Sequence, residues 1–204
     1  MFMVNFENVA HNDISDNSNS IQFPIIGIGT SAGGLVALEQ FFKNVPPACG
    51  MAFVVIQHLD PNHSTQLPEI LQGFTPMTVL EALDSKAVVP NFIYVIPPNK
   101  SMSILNGILY LFDPVENRGL RLPIDFFFRS LANDKQGSSI AIILSGMGSD
   151  GSLGVKAIKE QNGLVLVQEP SSAQFDSMPI NAIAVGNVDV VAAANELPLK
   201  LIEC

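Results

Sequence analysis

Three residues able to carry acyl-transfer chemistry stand just beyond apolar runs in this sequence: Ser31, His58 and Asp150. A serine hydroxyl is a weak nucleophile until a base takes its proton. An imidazole, with an unperturbed pKa near ~6.5, can accept that proton and return it to a leaving group. A carboxylate holds the imidazole in one tautomer and stabilises its cation. Ser31 lies in Gly27-Ile28-Gly29-Thr30-Ser31-Ala32-Gly33-Gly34, His58 in Gln57-His58-Leu59-Asp60, and Asp150 in Ser145-Gly146-Met147-Gly148-Ser149-Asp150-Gly151. Free N–H groups at a helix start, such as that of Ala32, would face a developing oxyanion. The glycine-flanked Met147 is a second candidate to donate there or to shape the site.

The elements that must position these residues are legible as alternating patterns. Ile25-Ile26-Gly27-Ile28 reads as a buried strand. Gly33-Gly34 opens a helix with Leu35, Leu38, Phe41 and Phe42 on its inner face, and Val45-Pro46-Pro47 stops it. Residues 51–56 form a second strand. Ser64 is a candidate cap for a helix reaching Gly73, with Leu67, Ile70 and Leu71 facing in. Residues 78–80 and 91–96 read as strands, and 103–112, with Asn106-Gly107 at its centre, as a hairpin. Residues 123–131 form a helix with proline in its first turn, and 139–144 a fully apolar strand. Residues 151–161 form a helix with Leu153, Val155, Ala157 and Ile158 inward and Gly163 past its end. A strand at 164–167, short helices at 178–184 and 195–202, and strand-like residues 188–191 complete the chain. This alternation predicts an α/β fold: a doubly wound, mostly parallel sheet with helices on both faces and an antiparallel hairpin. Ligands of such sheets bind outside the carboxyl ends of the strands, where all three residues stand.

Composition bounds the rest. The 204 residues suit one domain, predicted over 23–204, behind a polar tail at 1–22 rich in Asn, Asp and Ser. A net charge of -9 argues against nucleic acid and against an anionic membrane surface. No apolar stretch reaches the ~18 residues of a membrane span, and the start of the chain does not read as a signal peptide. Two cysteines, Cys49 and Cys204, make no disulfide framework, so a reducing, cytoplasmic setting is expected.

The residue pattern alone leaves alternatives open. Gly27-x-Gly29-x-x-Ala32, between a strand and a helix, also fits a dinucleotide-binding loop, with Asp60 placed for a ribose hydroxyl. A purely structural glycine turn fits as well. Asp150 is equally a candidate cap for the helix that follows it. His63 lies five residues after His58, but no third metal ligand is near. Asp60 beside Pro61 reads as a turn residue, and Phe126-Phe127-Phe128 as helix core with one partly exposed ring.

Four segments in this order break the tie: Pro24-Ile-Ile-Gly-Ile-Gly-Thr-Ser-Ala-Gly-Gly34, Val55-Ile-Gln-His-Leu59, Tyr94-Val-Ile-Pro-Pro-Asn-Lys100 and Leu144-Ser-Gly-Met-Gly-Ser-Asp-Gly151. Together they resemble the catalytic domain of the chemotaxis protein-glutamate methylesterase (CheB) family, from about Pro24 to the C-terminus. The resemblance implies hydrolysis of glutamyl γ-methyl esters on chemoreceptors or receptor-like proteins, and deamidation of particular glutamines. It implies a triad of Ser31, His58 and Asp150 and no metal or organic cofactor. Response-regulator members carry a receiver domain ahead of the catalytic one. None precedes the matching segment here, so phosphorylation control in cis is not expected. Arg121-Leu-Pro-Ile-Asp-Phe-Phe-Phe-Arg129 looks like versions fused to methyltransferase and sensor-kinase modules. Such a setting also admits a catalytically silent sensor or scaffold. The loop Asn117-Arg118-Gly119-Leu120 lacks the histidine that often follows Asn-Arg in chemotaxis members, so substrate preference is less legible than chemistry.

Overall fold

The computed structural model describes residues 23–57, 66–114 and 121–204. The predicted tail, His58, Asp60, His63, Ser64 and the 117–120 loop lie outside the described residues. Seven strands form one parallel sheet in the order β10-β9-β8-β1-β2-β5-β3: β1 (Ile25–Thr30), β2 (Ala52–Gln57), β3 (Thr78–Glu81), β5 (Phe92–Val95), β8 (Ser139–Ile143), β9 (Leu164–Gln168) and β10 (Val190–Ala192). A second, antiparallel sheet pairs the short β4 (Lys86–Ala87) and the hairpin of β6 (Ser101–Leu105) and β7 (Ile108–Phe112). The hairpin turns at Asn106 and Gly107, both with positive φ, as the Asn-Gly pair requires.

Alternation along β1 sorts the core into two layers. Ile26 and Ile28 face α1 (Gly34–Phe42), α2 (Leu67–Gln72) and α6 (Leu197–Glu203). In this layer Phe41, Phe42 and Phe53 pack edge to face, their centroids 5.3 to 6.0 Å apart. Ile25 faces α3 (Pro123–Lys135), α4 (Ser152–Glu160) and α5 (Ser177–Ala184). With both faces covered, the central strands are apolar throughout, as parallel strands must be.

Chain order fixes the crevice. From β1 the chain moves outward through β2 to β5 and β3, then returns across the sheet to β8, β9 and β10. The order therefore reverses between β1 and β8, and the loops leaving their carboxyl ends diverge over opposite faces. Those ends are level: Thr30 pairs with Gln57, Gly29 pairs with Ile143, and the Leu144 N–H extends the ladder to the Gly29 carbonyl at 3.0 Å.

Several expectations are corrected. Leu35, Ile70 and Leu153 are 36%, 38% and 50% exposed rather than inward. The buried stripe of α1 is Gly34, Ala37, Leu38, Phe41 and Phe42, a 3-4 spacing that excludes Leu35. In α4 it is Gly154, Val155 and Ile158, one residue out of phase with Leu153. The left-handed residue after α4 is Asn162, φ 61°, not Gly163.

The glycines of β1 explain how α3 approaches. A Cβ at Gly29 would lie 2.5 Å from Ile124 Cγ2, and one at Gly27 2.8 Å from the Phe128 ring. Helix α3 occupies the space that side chains would take. Gly29→Ala is expected to destabilise the fold by about 1–3 kcal/mol through overpacking, read as a lower urea midpoint with unchanged m-value.

Candidate functional site

Ser31 follows β1 directly, half-buried, with Ala32 and Gly33 half-buried beside it. Its loop is tied to the loop after β8 by a set of buried bonds centred on Ser145. The Ser145 carbonyl accepts the Ser31 N–H at 3.1 Å and the Thr30 hydroxyl at 2.8 Å. The Ser145 hydroxyl donates to the Ala32 carbonyl at 2.9 Å and accepts the Phe175 N–H at 3.0 Å. The Ser145 N–H donates to Gln168 Oε1 at 2.9 Å. Gly33 takes a left-handed backbone, φ 71°, and a Cβ there would lie 2.7 Å from Ser145 Oγ, so the close approach of the two loops requires glycine. With the loop carbonyls engaged inward, the Ala32 N–H meets no acceptor among the described residues. It remains available to an oxyanion.

Asp150 is 4% exposed at the end of the same β8–α4 loop. The alternative reading of Asp150 as the N-cap of α4 does not hold. Gly151, φ 95°, occupies that cap position without a side-chain bond. The Asp150 carboxylate turns instead to α3, accepting the Ile124 N–H at 3.0 Å and the Asp125 N–H at 2.9 Å. Pro123 has no N–H to offer. The two amides that follow it thus hold both carboxylate oxygens, and the helix dipole favours the negative charge there.

Asp125 returns the favour to α4. Buried to 3% exposure, it accepts the Gly154 N–H at 2.6 Å. Desolvation raises its pKa above the ordinary 3.8. The Gly154 bond and Arg129 lower it, and the charge of Asp150 raises it.

Met147, expected to fill core or shape the site, is 60% exposed. Its neighbours hold the loop from below. The Gly146 N–H donates to the Phe175 carbonyl and its carbonyl accepts the Met178 N–H, at 3.0 Å each, and the Gly148 N–H donates to Ser177 Oγ at 3.0 Å. Of the phenylalanine run, Phe127 and Phe128 are fully buried and Phe126 is 46% exposed, as read from the sequence.

The β1 and β8 loops are thus brought together, with Ser31 and Asp150 on them, and Gln57 ends β2 level with Thr30. The residues that sequence reasoning missed are Ser145, Gln168 and Asp125. An acidic residue two positions after a helix-starting proline was the one visible signal, for Asp125.

A parallel doubly wound sheet with a glycine-flanked serine loop at its switch point defines an α/β protein whose ligand crevice lies at that loop. The family model described as CheB methylesterase matches residues 26–201, and the chain belongs to that family. The crystal structure of the Thermotoga maritima CheB methylesterase catalytic domain superimposes with a TM-score of 0.82 at 32% identity, covering 89% of this chain and 98% of that one. A Thermotoga maritima protein-glutamate methylesterase/protein-glutamine glutaminase is 32% identical over 185 residues, 88% of this chain. The chain spans only 53% of that relative's length. A Leptospira interrogans relative, provisionally named for the same two activities, is 30% identical and is covered over 92% of its length.

Two outcomes follow from these bonds. Ser145→Ala strands the Phe175 N–H and the Ala32 carbonyl and is expected to lower unfolding free energy by about 1–3 kcal/mol in urea titration. Asp125, with its folded pKa raised, contributes stability that is fully present below 3.8 and lost as pH rises through the raised value. Asp125→Asn should therefore gain on the wild type as pH rises from below 3.8 toward neutrality, read from urea midpoints across that range.

Proposed function

We propose that this chain is a serine hydrolase that cleaves glutamyl γ-methyl esters on methylated chemoreceptors or receptor-like proteins and deamidates glutamine side chains in the same site. The observation that carries this reading is the bonded pair of loops at the switch point. Ser31 is anchored through its own N–H to the loop that ends in a buried, doubly hydrogen-bonded Asp150. The names of the relatives support the substrate class.

In this reading Ser31 Oγ attacks the ester carbonyl carbon while His58 takes its proton. His58 is bonded to Gln57, which lies one strand spacing, about 4.8 Å, from Thr30. Asp150, its carboxylate aligned by two amides, orients the imidazole and offsets its positive charge. The tetrahedral oxyanion forms beside the Ala32 N–H, with the Met147 N–H as second donor. Collapse expels methoxide, which leaves as methanol with the proton from His58. Water, activated by the same imidazole, then attacks the acyl-serine and releases the glutamyl carboxylate. A glutamine side chain follows the same steps with ammonia as leaving group.

The Arg121–Arg129 segment favours work beside methyltransferase and sensor-kinase modules in the cytoplasm, and the greater length of the Thermotoga relative fits a multidomain setting of whatever kind. A dinucleotide site is less favoured, because the space beside Gly27 and Gly29 is filled by Phe128 and Ile124. No helix of the described residues is long and apolar enough to cross a membrane.

Methanol release from methylated receptor tests the assignment. Ser31→Ala should lose up to ~10⁶-fold in kcat and Asp150→Asn up to ~10⁴-fold. Undiminished release by Ser31→Ala would refute it.

A further inference from the structure

Asp125 and Asp150 cap each other's helices. The Asp125 N–H, third in α3, donates to Asp150 Oδ1 at 2.9 Å, and the Asp125 carboxylate accepts the N–H of Gly154, third in α4, at 2.6 Å. Both carboxyl groups are nearly inaccessible, at 3% and 4% exposure, and close enough that the charge of one acts on the other. For capping alone this pairing is a poor choice. A serine or asparagine would satisfy the Gly154 amide without burying a second negative charge beside the first. The repulsion points to a role beyond stability.

We infer that Asp125 is a positioning residue for Asp150. Its carboxylate pins the first turn of α4, which begins two residues after Asp150, while its amide fixes one oxygen of the Asp150 carboxylate. The direction of that carboxylate is thereby set by two helices rather than by one flexible loop. The inference rests on the proposed role of Asp150 as the acid of the triad. Asp125 also adds negative potential behind Asp150, which strengthens the hold of the imidazole on its proton. Among the described residues, the charged groups acting on Asp125 are Asp150, from the β8–α4 loop, and Arg129, one turn along its own helix.

The test compares Asp125→Asn and Asp125→Ala in ester hydrolysis across pH, with activity referred to folded protein. Asn retains an oxygen for the Gly154 N–H but no charge. It should keep kcat within ~3-fold and move the acidic limb of the kcat/KM profile to lower pH. Ala removes the pin and should lower kcat by ~10²-fold with KM within about twofold, the signature of a misplaced catalytic group. An acidic limb for Asp125→Asn that coincides with the wild type, or an undiminished kcat per folded molecule for Asp125→Ala, overturns the inference. Asp150→Asn, measured alongside, separates the two levels. If it keeps full activity, the triad assignment fails and this inference with it. If it is inactive while both Asp125 variants match the wild type, the inference alone fails.

Discussion

The seating of α3 against the bare backbone of β1 is the contact from which the rest of the crevice follows. Because Gly27 and Gly29 lack side chains, Ile124 and Phe128 descend onto the strand itself. The first turn of the helix is then carried over the carboxyl ends of β1 and β8. Two of its amides, unable to find partners within the helix, meet the Asp150 carboxylate there. Ile124 also packs on Gly151, so the same side chain wedges the strand apart from the turn that carries the acid. Glycines that looked suited to a phosphate serve a helix instead, and the helix supplies the orientation.

The electrostatic design relies on fixed dipoles. The Asp150 oxygens are held by main-chain donors, whose positions are set by helix geometry and need little reorganisation when charge appears on a neighbour. The serine loop is treated the same way. Its first amide and the Ala32 carbonyl are taken up by Ser145, the Ser31 and Gly33 carbonyls by the Gly34 and Ala37 amides, Thr30 anchors it from the strand side, and the amide of Ala32 meets no acceptor among the described residues.

The strands were legible because burial on both faces makes them continuous apolar runs, and the hairpin because Asn106-Gly107 permits little else. The serine and aspartate loops were legible because ligand sites in this architecture follow strand ends. What escaped depends on distant partners. The α3 amides that hold Asp150 are 26 and 25 residues upstream in sequence, and no local pattern separates it from a cap for its own helix. Ser145 looks like an ordinary loop serine until the neighbouring strand is placed 115 residues away. Leu35, Ile70 and Leu153 were misassigned for a simpler reason. Each sits beside a buried stripe, and apolarity alone does not fix helical phase within one residue.

The bond from Thr30 to Ser145 closes a span of 115 residues, so the crevice is a late product of chain order. A nascent chain that has emerged through β5 already holds the serine segment and every strand on that side of the sheet, yet has nothing for Ser31 to lean on. Closing so long a loop loses entropy that only the completed β1–β8 pairing can offset. The seating of the serine loop therefore arises together with the finished sheet, because a chain cut short of β8 lacks the Ser145 carbonyl that holds Thr30 and Ser31.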